Sequence, residues 1–256
     1  MLFALTSHHA ISWRTTFILL IMLATSLGGC SREVYTSLMN AAKDGNVEAI
    51  QRILDSGADV NERTTEGKRA LMLAASEGHA DAVQLLIKRG ADVNAVDSYN
   101  TTALIVAATG GYDAVVALLL ENSADPLARD DSGGSPLVNA IYFGHSRTVQ
   151  LLLDKTPPLD KQDGEELLLL ASGLGHTEVV AALLDDGVDV NGRGLKQRTA
   201  LMAAAAFNQP GVIRLLLKHG ADPKARDEDG ETALSVAEDK GNKEVITLLK
   251  TAASAS

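Results

Sequence analysis

The apolar positions along the chain recur with a long and regular period. The leucine at position 38 is followed by six further leucines at intervals of 33 residues, with a single interval of 31. An alanine stands three residues after each of these anchor leucines, and a glycine or an asparagine stands seven residues after it. Self-similarity at a period of about 20–50 residues indicates a repeat architecture rather than one globular core. The anchors are Leu38, Leu71, Leu104, Leu137, Leu168, Leu201 and Leu234.

Each repeat carries the pattern of two short helices and a turn. In the second repeat, small residues after Leu71 predict an inner helix that a neighbour can approach closely. Val83, Leu86 and Ile87 follow at the i, i+3, i+4 spacing of a second, amphipathic helix. The polar residues 92–101 then predict a hairpin or turn. Because such a unit cannot bury its own apolar face, we expect seven of them to stack into an all-α solenoid.

The recurring elements resemble the ankyrin repeat. The segment Gly-Ala-Asp-Val-Asn at residues 57–61 returns at residues 90–94 and in part at residues 187–191, and Thr-Ala-Leu, Ala-Ala and Val-x-x-Leu-Leu elements recur in the same order from about residue 36 to residue 250. The resemblance implies seven helix-turn-helix repeats. This chain departs from the family at the residue after each anchor leucine, where the family has histidine. The implied loss of a hydrogen bond between repeats bears on rigidity more than on fold. The replacements are Met39, Met72, Ile105, Val138, Leu169, Met202 and Ser235.

The junction between the fourth and fifth repeats is irregular. Two residues are missing between Leu153 and Leu168 relative to the other repeats, and Thr-Pro-Pro at residues 156–158 replaces Gly-Ala-Asp. Proline removes backbone donors and disfavours helical angles in the residue before it. We call the predicted hairpin or turn of each repeat its finger. We therefore predict a shortened finger and a local bend between repeats four and five. A neutral loop deletion is the alternative, since loops tolerate deletions well.

Residues 1–29 are predicted to be a lipoprotein signal peptide. An apolar run over residues 16–27 follows Arg14. As a helix it would be about 18 Å long, short of the roughly 30 Å of hydrocarbon in a bilayer. A basic residue, then a short apolar run and then small residues are the pattern of a secretory signal peptide. The Leu-Gly-Gly-Cys sequence ending at Cys30 resembles the bacterial lipobox, which implies cleavage before Cys30 and lipid on its sulfur. An uncleaved anchor, a buried core helix or a wrongly assigned start are the alternatives.

The remaining chain divides at the ends of the repeat pattern. Residues 30–35 are predicted to be the lipidated cysteine and a short tether, residues 36–250 the repeat domain, and residues 251–256 a frayed tail. Ser31, where an aspartate would imply retention in the inner membrane, favours the outer membrane. The five residues 31–35 span at most about 17 Å. We therefore expect the first repeat to lie close to the membrane and to meet a periplasmic or membrane-near partner.

Composition excludes several kinds of chemistry. Asp and Glu number 33 against 23 Lys and Arg, a net charge of −10, which opposes nonspecific nucleic-acid binding. One cysteine allows neither an internal disulfide nor a thiolate zinc cage. His79, His145 and His176 share one repeat register, and packed helices lie about 8–10 Å apart, too far for zinc bonds of about 2.0–2.1 Å. They are predicted to be loop residues, and no catalytic, cofactor-binding or metal-binding residue is predicted.

The ankyrin resemblance implies a protein partner that contacts finger tips and the exposed ends of inner helices. Those ends fall five and six residues after each anchor leucine. Phe143 and Phe207, the two phenylalanines after residue 30, both occupy this register with Leu174 between them. With Tyr142 they are predicted to form an apolar strip, an arrangement typical of interaction sites. The alternative is local core packing between inner helices. Finger-tip residues form the predicted rim: Tyr99, and a basic island of Lys196 and Arg198.

These features predict a non-enzymatic protein-binding scaffold in the bacterial envelope. An inhibitor or immunity protein and an adaptor are both compatible with the sequence, and we expect a monomer without a cofactor. The alternative, from a different class, is an envelope enzyme or small-ligand binder that uses acidic hairpin residues. A concave pocket with converging carboxylates of perturbed pKa would favour that alternative.

The lipobox resemblance predicts the effect of one substitution. Cys30→Ser should abolish metabolic labelling by fatty acid and should release the protein from the membrane fraction, because two or more acyl chains are needed for stable anchoring. A Cys30→Ser variant that fractionates like the unaltered protein would contradict the lipoprotein assignment.

Overall fold

The computed structural model describes residues 35–255, in which helices alternate in pairs. One helix of each pair, the inner helix, contains the anchor leucine, and the other is the outer helix. The inner helices are α1 (Ser37–Lys43), α3 (Ala70–Ser76), α5 (Ala103–Gly110), α7 (Pro136–Phe143), α9 (Lys161–Leu174), α11 (Ala200–Ala206) and α13 (Ala233–Lys240). The outer helices are α2 (Val47–Asp55), α4 (Ala80–Lys88), α6 (Asp113–Glu121), α8 (Ser146–Leu153), α10 (Thr177–Asp185), α12 (Pro210–Lys218) and α14 (Lys243–Ala255).

A hydroxyl side chain caps most of the inner helices two residues before the anchor leucine. Thr102 Oγ1 accepts the Ile105 N–H, and Ser135 Oγ accepts the Val138 N–H, each at 3.2 Å. Each cap satisfies one of the amides that a helix start leaves without a partner. The recurring Thr-Ala-Leu element therefore fixes where these inner helices begin.

The helices form two layers that share one continuous core. Each inner helix packs on the inner helices before and after it, and each outer helix packs on its outer neighbours. The alanine three residues after the anchor is fully buried in the six repeats from Ala74 to Ala237. Its small side chain lets neighbouring helices approach closely. This confirms the all-α solenoid that the sequence predicts.

In repeats two to six, a ring or amide also packs against a glycine of the repeat before it. Gly144 adopts φ +78°, and a Cβ placed there would lie 2.7 Å from Nδ1 and 2.8 Å from Cε1 of His176. The same histidine donates its Nε2–H to the Tyr142 carbonyl at 3.0 Å. Since a carbonyl can only accept, Nε2 carries the proton. Gly144 therefore serves both the left-handed turn and the close approach of the next repeat.

Five finger loops precede the inner helices of repeats two, three, four, six and seven. Each closes through a backbone hydrogen bond, such as that from the Asp130 N–H to the Gly134 carbonyl at 3.0 Å. Neighbouring fingers are joined in the same way. The Ser98 N–H donates to Glu66, and the Asp131 N–H donates to Tyr99, at 2.8 and 3.0 Å.

Repeat five has no finger, which differs from the shortened finger predicted from the sequence. Helix α9 begins at Lys161, seven residues before its anchor Leu168, whereas α7 begins one residue before its own. Asp160 caps the added turns by accepting the Asp163 N–H at 2.7 Å, and acidic groups favour a helix start. Helices α7 and α9 contact each other less than any other neighbouring inner helices among residues 35–255.

The end of the described chain also differs from the predicted boundary. Helix α14 runs to Ala255, so residues 251–255 continue a helix rather than forming a frayed tail. Cys30 and the signal-like segment lie outside the described residues. Among residues 35–255, no helix is long and apolar enough to cross a membrane.

The contact at Gly144 predicts how repeat stacking responds to one methyl group. Gly144→Ala should lower the free energy of unfolding by about 2–5 kcal/mol, because a left-handed alanine costs about 1–2 kcal/mol and overpacking adds about 1–3 kcal/mol. Urea denaturation followed by circular dichroism measures the change.

Gly241 provides the matched control because it occupies the same register in the last repeat. Its φ is +72°, and nothing lies within 4 Å of a Cβ placed there. Gly241→Ala should therefore cost only about 1–2 kcal/mol, and His176→Ala should reduce the excess loss at Gly144. Equal losses at the two glycines would refute the stacking role.

Candidate protein-binding surface

Two hydrogen bonds between successive repeats lie at the predicted apolar strip. His176 Nε2–H donates to the Tyr142 carbonyl at 3.0 Å, and Gln209 Nε2–H donates to the Gly173 carbonyl at 3.2 Å. These two bonds join the end of α7 to repeat five and the end of α9 to repeat six. Residues 142–143, 173–174 and 206–207 therefore lie side by side in three successive repeats.

Both phenylalanines of the predicted strip are exposed. Phe143 is 42% accessible and Phe207 is 55% accessible, while Tyr142 and Leu174 are half-buried. The Tyr142 and Phe143 rings meet edge to face, with centroids 5.1 Å apart. The two phenylalanines are therefore not sealed between the inner helices, as the core-packing alternative required. The helix ends offer apolar side chains to solvent.

The Phe207 ring packs against Gly173, a contact that was not predicted from the sequence. A Cβ at Gly173 would lie 3.3 Å from Phe207 Cδ2, so the ring of repeat six rests on the backbone of repeat five beside Leu174. The Phe143 ring stacks on His145 at a centroid distance of 6.3 Å. Each ring therefore contacts the protein on one side and stays partly accessible to a partner. The signal in the sequence was a glycine at a register position where a side chain is expected.

Tyr99 occupies the tip of the finger before repeat three and is 58% accessible. Its N–H donates to Asp97 Oδ1 at 2.9 Å, and its carbonyl accepts the Asp131 N–H. The backbone of this residue is thereby fixed while the phenol points to solvent. Tyr99 belongs to a finger and not to the strip, because it lies before the anchor of its repeat.

The expected basic island is not an unpaired cationic patch. Arg198 Nε lies 3.5 Å from Asp227 Oδ2, and an Arg198 terminal nitrogen lies 3.6 Å from Glu231 Oε2. Lys196 Nζ lies 3.9 Å from Asp229 Oδ2. These carboxylates belong to the finger of the next repeat, and the Asp227 side chain is fully buried. Lys196 and Arg198 therefore join two fingers, and their predicted contact with a partner stays a prediction.

The three histidines take the inter-helix positions expected of them and also join repeats. His79 and His145 donate Nε2–H to the carbonyls of Lys43 and Thr109, each at 3.0 Å. No group of three or more histidine, cysteine or acidic side chains within the described ranges is arranged to hold a metal ion. These bonds, eight residues after the anchor, bridge repeats in a chain that lacks the family histidine.

One carboxyl group with a perturbed pKa lies in the outer layer. Burial, and then the negative charge of Asp154, raise the pKa of Asp186. Both residues cap the C-terminal ends of outer helices, where the helix dipole is negative. Asp185 and Arg147 line the same shallow hollow. The hollow has a volume of about 250 Å³, below the range of about 300–1,000 Å³ for ligand sites, so it does not favour the enzyme or small-ligand alternative.

The sequence and the fold both identify the family of this chain. A family profile described as "Ankyrin repeats (3 copies)" matches residues 38–130 and 125–194. A second, "Ankyrin repeats (many copies)", matches residues 183–237. The chain therefore belongs to the ankyrin-repeat family. Members of this class serve as protein-binding scaffolds, consistent with the exposed helix ends described above.

Similar proteins match over the repeats. The human ASB11 ankyrin repeat domain superposes with a TM-score of 0.74 at 29% identity, covering 85% of this chain and 98% of that domain. The ankyrin repeat domain of Bcl-3 superposes with a TM-score of 0.69 at 27% identity, covering 86% of this chain and all of that domain. The E3 ubiquitin-protein ligases hecd-1 of Caenorhabditis elegans and Ufd4 of Drosophila melanogaster are 46% and 42% identical over 79 and 90 residues.

The two ligases are far longer than this chain. The matched segments cover 31% and 34% of this chain but only 3% of either ligase. The similarity is therefore a similarity of repeats.

The surroundings of Asp186 predict a pH-dependent stability. A carboxyl with a raised folded-state pKa opposes folding when ionised, so its contribution improves as pH falls through that pKa. Asp186→Asn should therefore raise Tm at pH 7, and the gain should vanish at low pH, where the carboxyl is protonated in both states.

Asp55 gives a matched control at the end of another outer helix. It pairs with Arg89 at 2.7 Å, so Asp55→Asn should give no gain in Tm. Thermal unfolding between pH 3 and pH 8 tests both variants. A gain at Asp186 that does not change with pH would contradict this assignment.

Proposed function

We propose that this protein is a non-enzymatic ankyrin scaffold, lipid-anchored through Cys30 in a bacterial envelope, that binds a periplasmic or membrane-near protein. The observation that carries the binding proposal is the pair of exposed phenylalanines on bonded inner-helix ends. Aromatic side chains contribute disproportionately to protein interfaces because they bury large area at low entropic cost. Their rigid backbone support fits a preformed docking surface.

The start of the repeat domain supports an interface close to the membrane. Tyr35 packs against the core of the first repeat, and Lys43 Nζ lies 5.9 Å from the centre of its ring. Only residues 31–34 then separate Cys30 from the packed domain, at most about 14 Å when extended. A partner of the strip would be a periplasmic protein or the periplasmic part of a membrane protein.

The role that fits such an anchored scaffold is an inhibitor, immunity protein or adaptor for an envelope partner. Each acts by occupying a surface and needs no reaction centre. The matched ligases have ankyrin repeats in much longer chains, so their ubiquitin-ligase activity is not proposed for this protein.

The partner can be captured in intact cells by cross-linking from the strip. A photoreactive phenylalanine analogue at Phe143 or at Phe207 should cross-link to the same protein, because both positions face one surface. The same analogue at Gln51, an exposed residue of α2, should not. Capture of different proteins from the two strip positions, or equal capture from Gln51, would refute a shared interface.

The captured partner then allows the energetic contribution of the strip to be measured. Phe143→Ala and Phe207→Ala should each weaken binding by about 2 kcal/mol, or about 30-fold. Val96→Ala removes an apolar side chain of 44% accessibility outside the strip and should leave affinity unchanged. Isothermal titration with each variant, after circular dichroism has verified its fold, provides the test. Unchanged affinity of both phenylalanine variants would exclude the strip from the interface.

A further inference from the structure

The missing finger of repeat five leaves an open cleft on the surface. One wall is the loop of residues 126–135, and the other is formed by the added N-terminal turns of α9. Residues 156–159 complete the lining. The cleft has a volume of about 1080 Å³, at the upper end of the range of about 300–1,000 Å³ for ligand sites. It is separate from the phenylalanine strip, since neither Phe143 nor Phe207 lines it.

A side-chain bridge between repeats is also interrupted at this cleft. The Asn94 side chain accepts the Asp125 N–H at 2.8 Å and donates to the Ser123 carbonyl at 2.9 Å. Asn61 and Asn191 make the equivalent bonds in their own repeats. One repeat later the asparagine is Leu127 and the donor is Pro158, which has no N–H. Leu127 is instead 58% accessible and lines the cleft.

The wall on the side of repeat four offers a backbone acceptor. The Tyr99 carbonyl accepts from Asp131, and the Lys196 carbonyl accepts from Glu228 at 3.1 Å. Ser132 holds the position equivalent to Tyr99, 33 residues later. No N–H among residues 35–255 donates to its carbonyl, because the finger that would do so is absent. An extended segment can supply this N–H, whereas the interior of a helix cannot.

The charge and polarity of the lining define the side chains that would fit. Its apolar surface includes Leu127, Pro157 and Leu159. Its charged groups are three carboxylates, from Asp160, Asp163 and Glu166, against the single guanidinium of Arg129. The lining therefore complements a segment that carries both aliphatic and basic side chains.

We infer that this cleft binds an extended peptide segment of a partner protein with alternating aliphatic and basic side chains. The segment takes the place of the absent finger. Its aliphatic side chains cover Leu127 and the prolines, and one of its backbone N–H groups donates to the Ser132 carbonyl. Its lysine or arginine side chains face the acidic turns of α9. This inference does not rest on the phenylalanine strip, so Phe143→Ala should not affect it.

The inference is tested with synthetic peptides and the full-length protein in a non-ionic detergent. The probe is a fluorescein-labelled octapeptide that alternates leucine or valine with lysine, and binding is followed by fluorescence anisotropy at physiological salt. A second peptide replaces every lysine with glutamate. A third carries N-methyl groups on its central amides, which removes the backbone donors.

Two exposed leucines of the protein give a matched pair of variants. Leu127 is 58% accessible and lines the cleft, whereas Leu195 is 54% accessible and lies on another finger. Leu127→Ser should weaken binding of the lysine peptide about tenfold, and Leu195→Ser should change it by less than about twofold. The double variant Asp163→Asn, Glu166→Gln should weaken it, whereas Glu121→Gln on α6 should not. The glutamate and N-methyl peptides should both bind more weakly.

Three results would overturn the inference. Equal effects of Leu127→Ser and Leu195→Ser would show that the peptide does not bind specifically in the cleft. Equal binding of the lysine and glutamate peptides would remove the charge argument. A concentration-dependent dimer in sedimentation velocity that is lost in Leu127→Ser would assign the cleft to a second copy of the chain. Loss of partner capture at Phe143 with intact peptide binding would instead contradict only the proposed function.

Discussion

The close approach of one repeat to the next is the constraint on which the rest of this structure depends. A pair of short helices has no core of its own, so its apolar residues are buried only against the neighbouring pairs. Two small-residue positions make this possible. A buried alanine lets the inner helices meet, and a glycine at the end of the inner helix receives a ring or amide from the following repeat. At Gly144 the ring of His176 is close enough to exclude a methyl group. The hydrogen bond from the same ring to the Tyr142 carbonyl then fixes the spacing between repeats.

That spacing also accounts for the surface features. Because the ends of α7 and α9 are hydrogen-bonded to the next repeat, residues 142–143, 173–174 and 206–207 are held in adjacent positions although about thirty residues separate them. Gly173 has no side chain to cover Phe207, so this ring rests on the backbone of repeat five and stays exposed. The cleft has the opposite origin. Where repeat five replaces its finger with helical turns, the ladder of finger bonds stops at Ser132, and the space that a finger would fill stays open.

The periodic part of the sequence predicted most of the fold, and the irregular part predicted less. The anchor leucines and the alanines each act within one or two turns, so their spacing located the inner helices and their buried faces. The deletion near Pro157 marked the irregular junction but did not reveal that α9 would extend to Lys161. That outcome depends on Asp160 as a cap and on Gly192 of the following finger, which receives the Glu165 side chain. Residues 251–255 were assigned to a tail because the repeat pattern ends there, yet they continue α14.

The sequence by itself determined the class of architecture, the register of the strip residues and the Leu-Gly-Gly-Cys motif, because these depend on residue type and spacing alone. The tertiary structure decided which side chains are available. Phe143 and Phe207 are exposed, whereas Arg198 lies against two carboxylates of the finger of repeat seven and its side chain is 22% accessible. An arginine thirty residues from its carboxylate partners looks unpaired in a linear sequence. Only the stacking of one repeat on the next brings those charges within about 4 Å, where a surface cation becomes a link between repeats.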